Sequence, residues 1–272
     1  MKKKAAHADS DEDGLTFWQH LDELRARLIR VAVVVVATTI LAFVNRELIF
    51  DKIILAPMNG DFITFRWLCE LGKILHRNSL CMQDMKLNII NVEMSGQFMT
   101  HMTISFVAGI IIAMPFIFWQ LWGFIKPALY EKEKRYARLA VFIMSLLFII
   151  GIVFSYYIMV PWTLNFLGTY QVSSNVRNML SLQSYISTVL TTVLWVGVAF
   201  ELPVLVYVLA KVGIMTPEFL KKNRKFAFVI VLILAAIITP PDVLSQVIVT
   251  VPLWALYEIS IVVAKKVAPV KE

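Results

Sequence analysis

Several residues in this sequence stand where they could do chemistry. Glu23 lies in the run HLDELRARL together with Asp22, Arg25 and Arg27. Glu23 and Arg27 are spaced i,i+4 on a helix, and the ordinary use of that spacing is an ion pair worth a few tenths of a kcal/mol. A second group of charges is YEKEKR: Glu131 has Arg135 at i+4, but Glu133 has only Leu129 and Ala137 at its i±4 positions and is the freer carboxylate. Glu201 is the one ionisable residue in the apolar run 182–210, where an ionised carboxylate is costly. It is expected to be protonated, hydrogen-bonded across a bundle or turned to a water-filled cavity. Gln246 follows Thr239-Pro240-Pro241-Asp242 and can hydrogen-bond a neighbouring helix in lipid for about 1 kcal/mol.

Other chemistry lacks its residues. His7, His20, His76 and His101 are scattered without metal-ligand spacing. The sequence has no phosphate-binding glycine loop, no paired carboxylates inside an apolar run and no nucleophile with an evident base. It points to binding and assembly, with no enzyme activity, no cofactor and no nucleic-acid partner.

The elements that must position these residues belong in a membrane. Of 272 residues, 59% are hydrophobic and 17% charged, and the mean hydropathy is +0.73; lipid must solvate such a chain. Apolar runs at 28–44, 98–122, 139–167 and 182–210 can each cross a hydrocarbon core of about 30 Å as helix. A last run, 226–257, is broken by the Pro240-Pro241 pair and predicts two short helices joined by a tight turn. The expected fold is therefore an all-α integral membrane protein with six transmembrane helices, the last two short. Most of the 26 basic residues fall before the first run, between the second and third, between the fourth and fifth, and after the last. Those segments, and both termini, are expected on the cytoplasmic side.

Residues 1–15 are acidic and polar and predict a disordered tail, 16–265 a single membrane domain, and 266–272 a second tail. Lys2, Lys3 and Lys4 resemble the start of a signal peptide, but no small-residue cleavage site follows the first apolar run, which is expected to be retained. Thr16 and Gln19 can form a capping box, and Phe17, Leu21, Leu24 and Leu28 share one face, predicting an amphipathic interfacial helix that leads into the first span. Segment 45–96 carries as many acidic as basic residues and is placed outside by the other loops. It holds Cys69 and Cys81, the only cysteines, and a disulfide there is expected to contribute about 3 kcal/mol of local order.

Four blocks in register with these spans resemble the TatC family: HLDELRARL before the first span, FIKPALYEKEKR after the second, FELP late in the fourth and TPPDVLSQ between the fifth and sixth. The enlarged loop 45–96 departs from the family pattern. The resemblance implies a core receptor subunit of the twin-arginine translocase in the bacterial inner membrane, driven by the proton gradient. Its implied partners are the twin-arginine signal peptides of folded cargo proteins, TatA/TatB-type single-span subunits, further copies of itself and the surrounding lipid.

By the same resemblance, Glu23 and Glu133 receive the two signal arginines, and Arg25, Phe124, Pro127, Leu129 and Tyr130 shape that patch. Carboxylate matches planar guanidinium in a bidentate way that lysine does not reproduce. Glu201 becomes a polar site where a signal peptide or partner helix inserts, and Thr239, Pro240, Asp242 and Gln246 mark the docking region for single-span partners. The alternative is a proton-coupled secondary transporter using Glu201. Such transporters usually show internal repeats and several intramembrane polar groups, whereas this sequence has one such acid and no repeat.

Overall fold

The computed structural model describes residues 17–74, 89–125, 137–171, 173, 179–239 and 243–267. The described residues of the apolar runs are mostly helical. Helix α1 (Phe17–Val44) runs 28 residues without a break, so the expected interfacial segment and the first span form one helix. Helix α3 (Gly96–Ile125) carries Pro115 inside it. Helix α4 (Ala137–Phe154) passes through a π-helical turn, Ser155–Met159, into α5 (Val160–Thr169). Helices α6 (Leu182–Ala199) and α7 (Leu202–Lys211) share one span interrupted at Phe200 and Glu201. The chain then runs through α8 (Pro217–Lys222), α9 (Arg224–Ile238) and α10 (Val243–Val267).

Among the described residues, five segments are long and apolar enough to cross a membrane: Leu21–Val44, Gly96–Phe124, Arg138–Thr169, Leu182–Lys211 and Ser245–Val267. Helix α9 has 15 residues, or about 22 Å of helix, against a hydrocarbon core of about 30 Å. The sequence predicts that both of the last two helices are short. That holds for α9, but α10 has 25 residues, because it continues past Tyr257 through Glu258 and ends only after Lys265 and Lys266.

Close backbone approach joins α1 to α3. A Cβ added at Gly109 would lie 2.4 Å from the Thr39 hydroxyl and 2.7 Å from its backbone nitrogen, so only glycine lets the two helices meet there. The Thr38 hydroxyl lies 2.8 Å from the Gly109 carbonyl and 2.9 Å from the Val34 carbonyl of its own helix. Helices α4 and α6 cross in the same way, since a Cβ at Gly151 would lie 2.9 Å from the Cα of Gly197. In lipid, where no hydrophobic effect drives helices together, such small-residue contacts supply the packing.

The described residues of segment 45–96 form a helical cap. After α1, a π-helical turn (Glu47–Ile54) and a 3-10 turn (Ala56–Met58) lead to α2 (Ile63–Ile74). Tyr156 donates to the Ile53 carbonyl at 2.7 Å and Tyr185 to the Ile54 carbonyl at 2.6 Å, pinning the cap to α4 and α6. Pro161 has no N–H to offer the Tyr157 carbonyl one turn back, and this vacancy explains the widened turn before α5. The Thr64 hydroxyl fills it from the cap. Strand β1 (Ile89–Ile90) pairs in parallel with β2 (Leu180–Ser181), joining the cap to the loop before α6. Cys69, on α2, is buried and disulfide-bonded; Cys81 lies outside the described residues.

Candidate functional site

Glu23 and Arg27 lie one turn apart on α1, and helix geometry brings their side chains together. Arg27 Nε donates to Glu23 Oε1 at 3.0 Å, and Nη2 donates to the same oxygen. The expected i,i+4 pair therefore forms, but it is part of a larger contact. Arg27 Nη1 donates to the Gln120 carbonyl at 3.1 Å and lies 3.4 Å from its side-chain oxygen, joining positions 93 residues apart. The two charged side chains are 21% and 30% exposed, while Gln120 is 8% exposed.

Over residues 21–30 α1 is exposed except at Glu23 and Arg27. Leu21, Leu24 and Leu28 are exposed, at 40%, 44% and 66%, whereas Glu23 and Arg27 are half-buried and tied to α3. Asp22 is exposed together with these leucines, so in this stretch the ion pair alone turns inward. Arg25, two residues from each of them, is exposed.

On α3 the partners of this pair are Gln120 and Gly123. A Cβ at Gly123 would lie 2.2 Å from Arg27 Nη1 and 3.1 Å from Cζ, so the absent side chain is the space in which the guanidinium sits. Neither residue stands out in the sequence reading. A glycine in the last turn of a long apolar helix, between Trp122 and Phe124, is the signal that could have marked it, because glycine there weakens the helix unless something must approach closely. Phe124 is half-buried beside it. Pro127, Leu129, Tyr130, Glu131 and Glu133 lie outside the described residues, as does the capping residue Thr16.

Glu201 occupies a different setting. It stands at the N-cap position of α7, and its side chain makes no capping bond. Its N–H donates to the Val198 carbonyl at 3.0 Å, a tightened turn at the interruption. The interruption follows from Pro203, which has no N–H for the Ala199 carbonyl. Both carboxylate oxygens are buried, and neither has a hydrogen-bond partner among the described residues. A buried polar group left in this condition costs the fold free energy, and such groups in membranes are functional sites by default.

The two described residues of the expected docking region are bonded within the chain. Gln246 Nε2 donates to the Leu232 carbonyl of α9 at 3.2 Å, and the buried Thr239 hydroxyl donates to the Ala235 carbonyl at 2.9 Å. Beside them, the Thr163 and Ser245 hydroxyls meet at 3.2 Å between α5 and α10. Pro240 and Asp242 lie outside the described residues. At the other end of this hairpin, Arg224 pairs with Glu258 at 2.6 Å and Tyr257 donates to the Leu220 carbonyl at 2.7 Å.

Comparison with known proteins gives one answer. The family model described as Sec-independent protein translocase protein (TatC) matches residues 19–252. The Sec-independent protein translocase protein TatC of Blattabacterium sp. subsp. Periplaneta americana is 39% identical over 257 residues, covering 94% of this chain and 97% of that protein. The protein of the same name from Helicobacter pylori is 41% identical over 250 residues, covering 92% and 87%. Among solved structures, one described as the twin arginine translocase receptor TatC superposes with a TM-score of 0.71 at 35% identity, covering 91% of this chain and 99% of that one.

Proposed function

Since the chain belongs to the TatC family of Sec-independent protein translocase proteins, we propose that it is the receptor subunit of a twin-arginine translocase. The observation that carries this reading is the Glu23 carboxylate, half-buried on α1 against the end of α3, with both Arg27 contacts on Oε1 and none on Oε2 among the described residues. A carboxylate held in one orientation with an open oxygen is prepared for a guanidinium donor. Glu133 supplies the second acid, so two adjacent arginines meet two carboxylates, and Phe124, Pro127, Leu129 and Tyr130 complete the patch around Arg25. In support, a solved relative that covers nearly the same length is described as a twin arginine translocase receptor.

The protein lies in the bacterial inner membrane with both termini in the cytoplasm and crosses six times, the short α9 being the fifth crossing, in a locally thinned bilayer. It hydrolyses nothing; the proton gradient drives transport. Glu201 is the intramembrane contact for an inserted signal peptide or partner helix. Thr239, Pro240, Asp242 and Gln246 border the place where TatA/TatB-type single-span subunits dock, and further copies of the chain complete the assembly. The Cys69–Cys81 disulfide holds the outer cap.

The test is site-specific crosslinking of a twin-arginine leader to the full-length protein in membranes, together with export of a folded reporter. Glu23→Lys and Glu133→Lys are each expected to abolish crosslinking and export, because each turns an attraction into a like-charge repulsion. Undiminished crosslinking in both variants would overturn the assignment.

A further inference from the structure

We propose that Arg27 is a resident stand-in for the incoming arginine. It occupies one oxygen of Glu23 in the empty receptor and stays parked on α3 when a signal guanidinium takes that oxygen. The inference rests on the receptor reading of Glu23 and deepens it by naming the residue that sets the preference for arginine over lysine.

The geometry is not that of a simple surface ion pair. A paired arginine and carboxylate usually meet fork to fork, two donors on two oxygens. Here Nε and Nη2 both converge on Oε1. The third contact, Nη1 to the Gln120 carbonyl at 3.1 Å, holds the guanidinium from α3. Gly123 leaves the room, since any Cβ there would collide with Nη1 at 2.2 Å. Arg27 thus has two anchors, one that can be given up and one that remains.

An incoming guanidinium begins on Oε2 and needs Oε1 to complete a bidentate contact. It can take Oε1 only when Arg27 Nε and Nη2 let go, and it offers a parallel pair of donors in exchange. Arg27 keeps its contact with Gln120 meanwhile, so its charge is never left without a partner. A lysine ammonium is a point donor, satisfied on Oε2, and it brings no second parallel donor to displace Arg27. It must also bind beside a retained positive charge. Arg27 therefore penalises lysine more than arginine, and Gln120 and Gly123 are positioning residues that keep it in place.

The experiment measures binding of labelled twin-arginine and twin-lysine leader peptides to the purified full chain in lipid nanodiscs at fixed salt. Arg27→Gln is expected to raise twin-lysine affinity and cut the arginine-over-lysine ratio by about threefold or more, the scale of one half-exposed ion pair. Gly123→Ala keeps Arg27 but pushes its guanidinium off α3, and is expected to shift the ratio in the same direction. Arg27→Lys retains charge without the fork and should not restore the wild-type ratio. An unchanged ratio in Arg27→Gln, or proportionate weakening of both peptides, overturns the inference. If Arg27→Gln does not yield folded protein, the ratio in Gly123→Ala decides alone. Glu23→Gln separates the two levels: if it leaves binding intact, the receptor reading fails, and if it abolishes binding while the ratio in Arg27→Gln is unchanged, only the role of Arg27 fails.

Discussion

Glu23 and Glu201 are both acids on helices that cross or enter the membrane, yet the fold treats them in opposite ways. Glu23 lies within reach of a guanidinium fixed to two helices, and one of its oxygens is occupied. Glu201 sits at a break between two helices with both oxygens buried and without a hydrogen-bond partner among the described residues. A charge with a partner can remain half-exposed at little cost, whereas a buried carboxylate without one lowers the stability of the resting protein. The first is a site arranged for exchange, one donor for another. The second is a site whose bonding is incomplete until another molecule or another state supplies it.

The comparison breaks most sharply if α1 loses its seat. Gly109→Ala places a methyl group against the Thr39 backbone and should destabilise the fold by about 1–3 kcal/mol through overpacking. Thermal unfolding in detergent should show the loss, and peptide binding at Glu23 should fall with it while the environment of Glu201 is unchanged. If the melting temperature does not move, the α1–α3 approach is looser than described.

A smaller effect, of opposite sign, separates the two acids directly. Glu201→Leu removes two unsatisfied buried oxygens and should raise stability by about 1–2 kcal/mol while impairing export. Glu23→Gln should leave stability within about 0.5 kcal/mol, in line with half-exposed i,i+4 pairs. Paired melting curves and export assays check both, and a Glu201→Leu variant that is less stable than wild type would show that its carboxylate has a structural partner. An effect on the same small scale is expected at Gln246. Replacing it with leucine removes one hydrogen bond to Leu232, worth about 0.6 kcal/mol between membrane helices. A larger loss of export than of stability there would favour partner docking.

Much of this organisation was legible in the residue order. The apolar runs near 98–122, 139–167 and 182–210 correspond to helices α3, α4 with α5, and α6 with α7, because twenty or so apolar residues have few alternatives to a helix in lipid. Thr216 caps α8 as its Thr-Pro-Glu pattern predicts, accepting from the Phe219 N–H at 3.2 Å. Helix α10 runs beyond Tyr257, where the apolar run ends, since charged residues end an apolar run without ending a helix. Gln120 and Gly123 carry no sequence signal of their partner, because a polar residue and a glycine near the end of an apolar helix have no meaning until their neighbour is known.

Hydropathy, charge placement and i,i+4 spacing are local properties of the chain, so the sequence alone determined the helical membrane class, most of its spans and the pairing of Glu23 with Arg27. Contacts between residues 93 positions apart depend on how helices approach, and no window of sequence contains both partners. Only the tertiary structure decided that the Glu23–Arg27 pair meets α3, that Arg27 crosses to Gln120 through the space at Gly123, and that the Glu201 carboxylate oxygens are buried without a hydrogen-bond partner among the described residues.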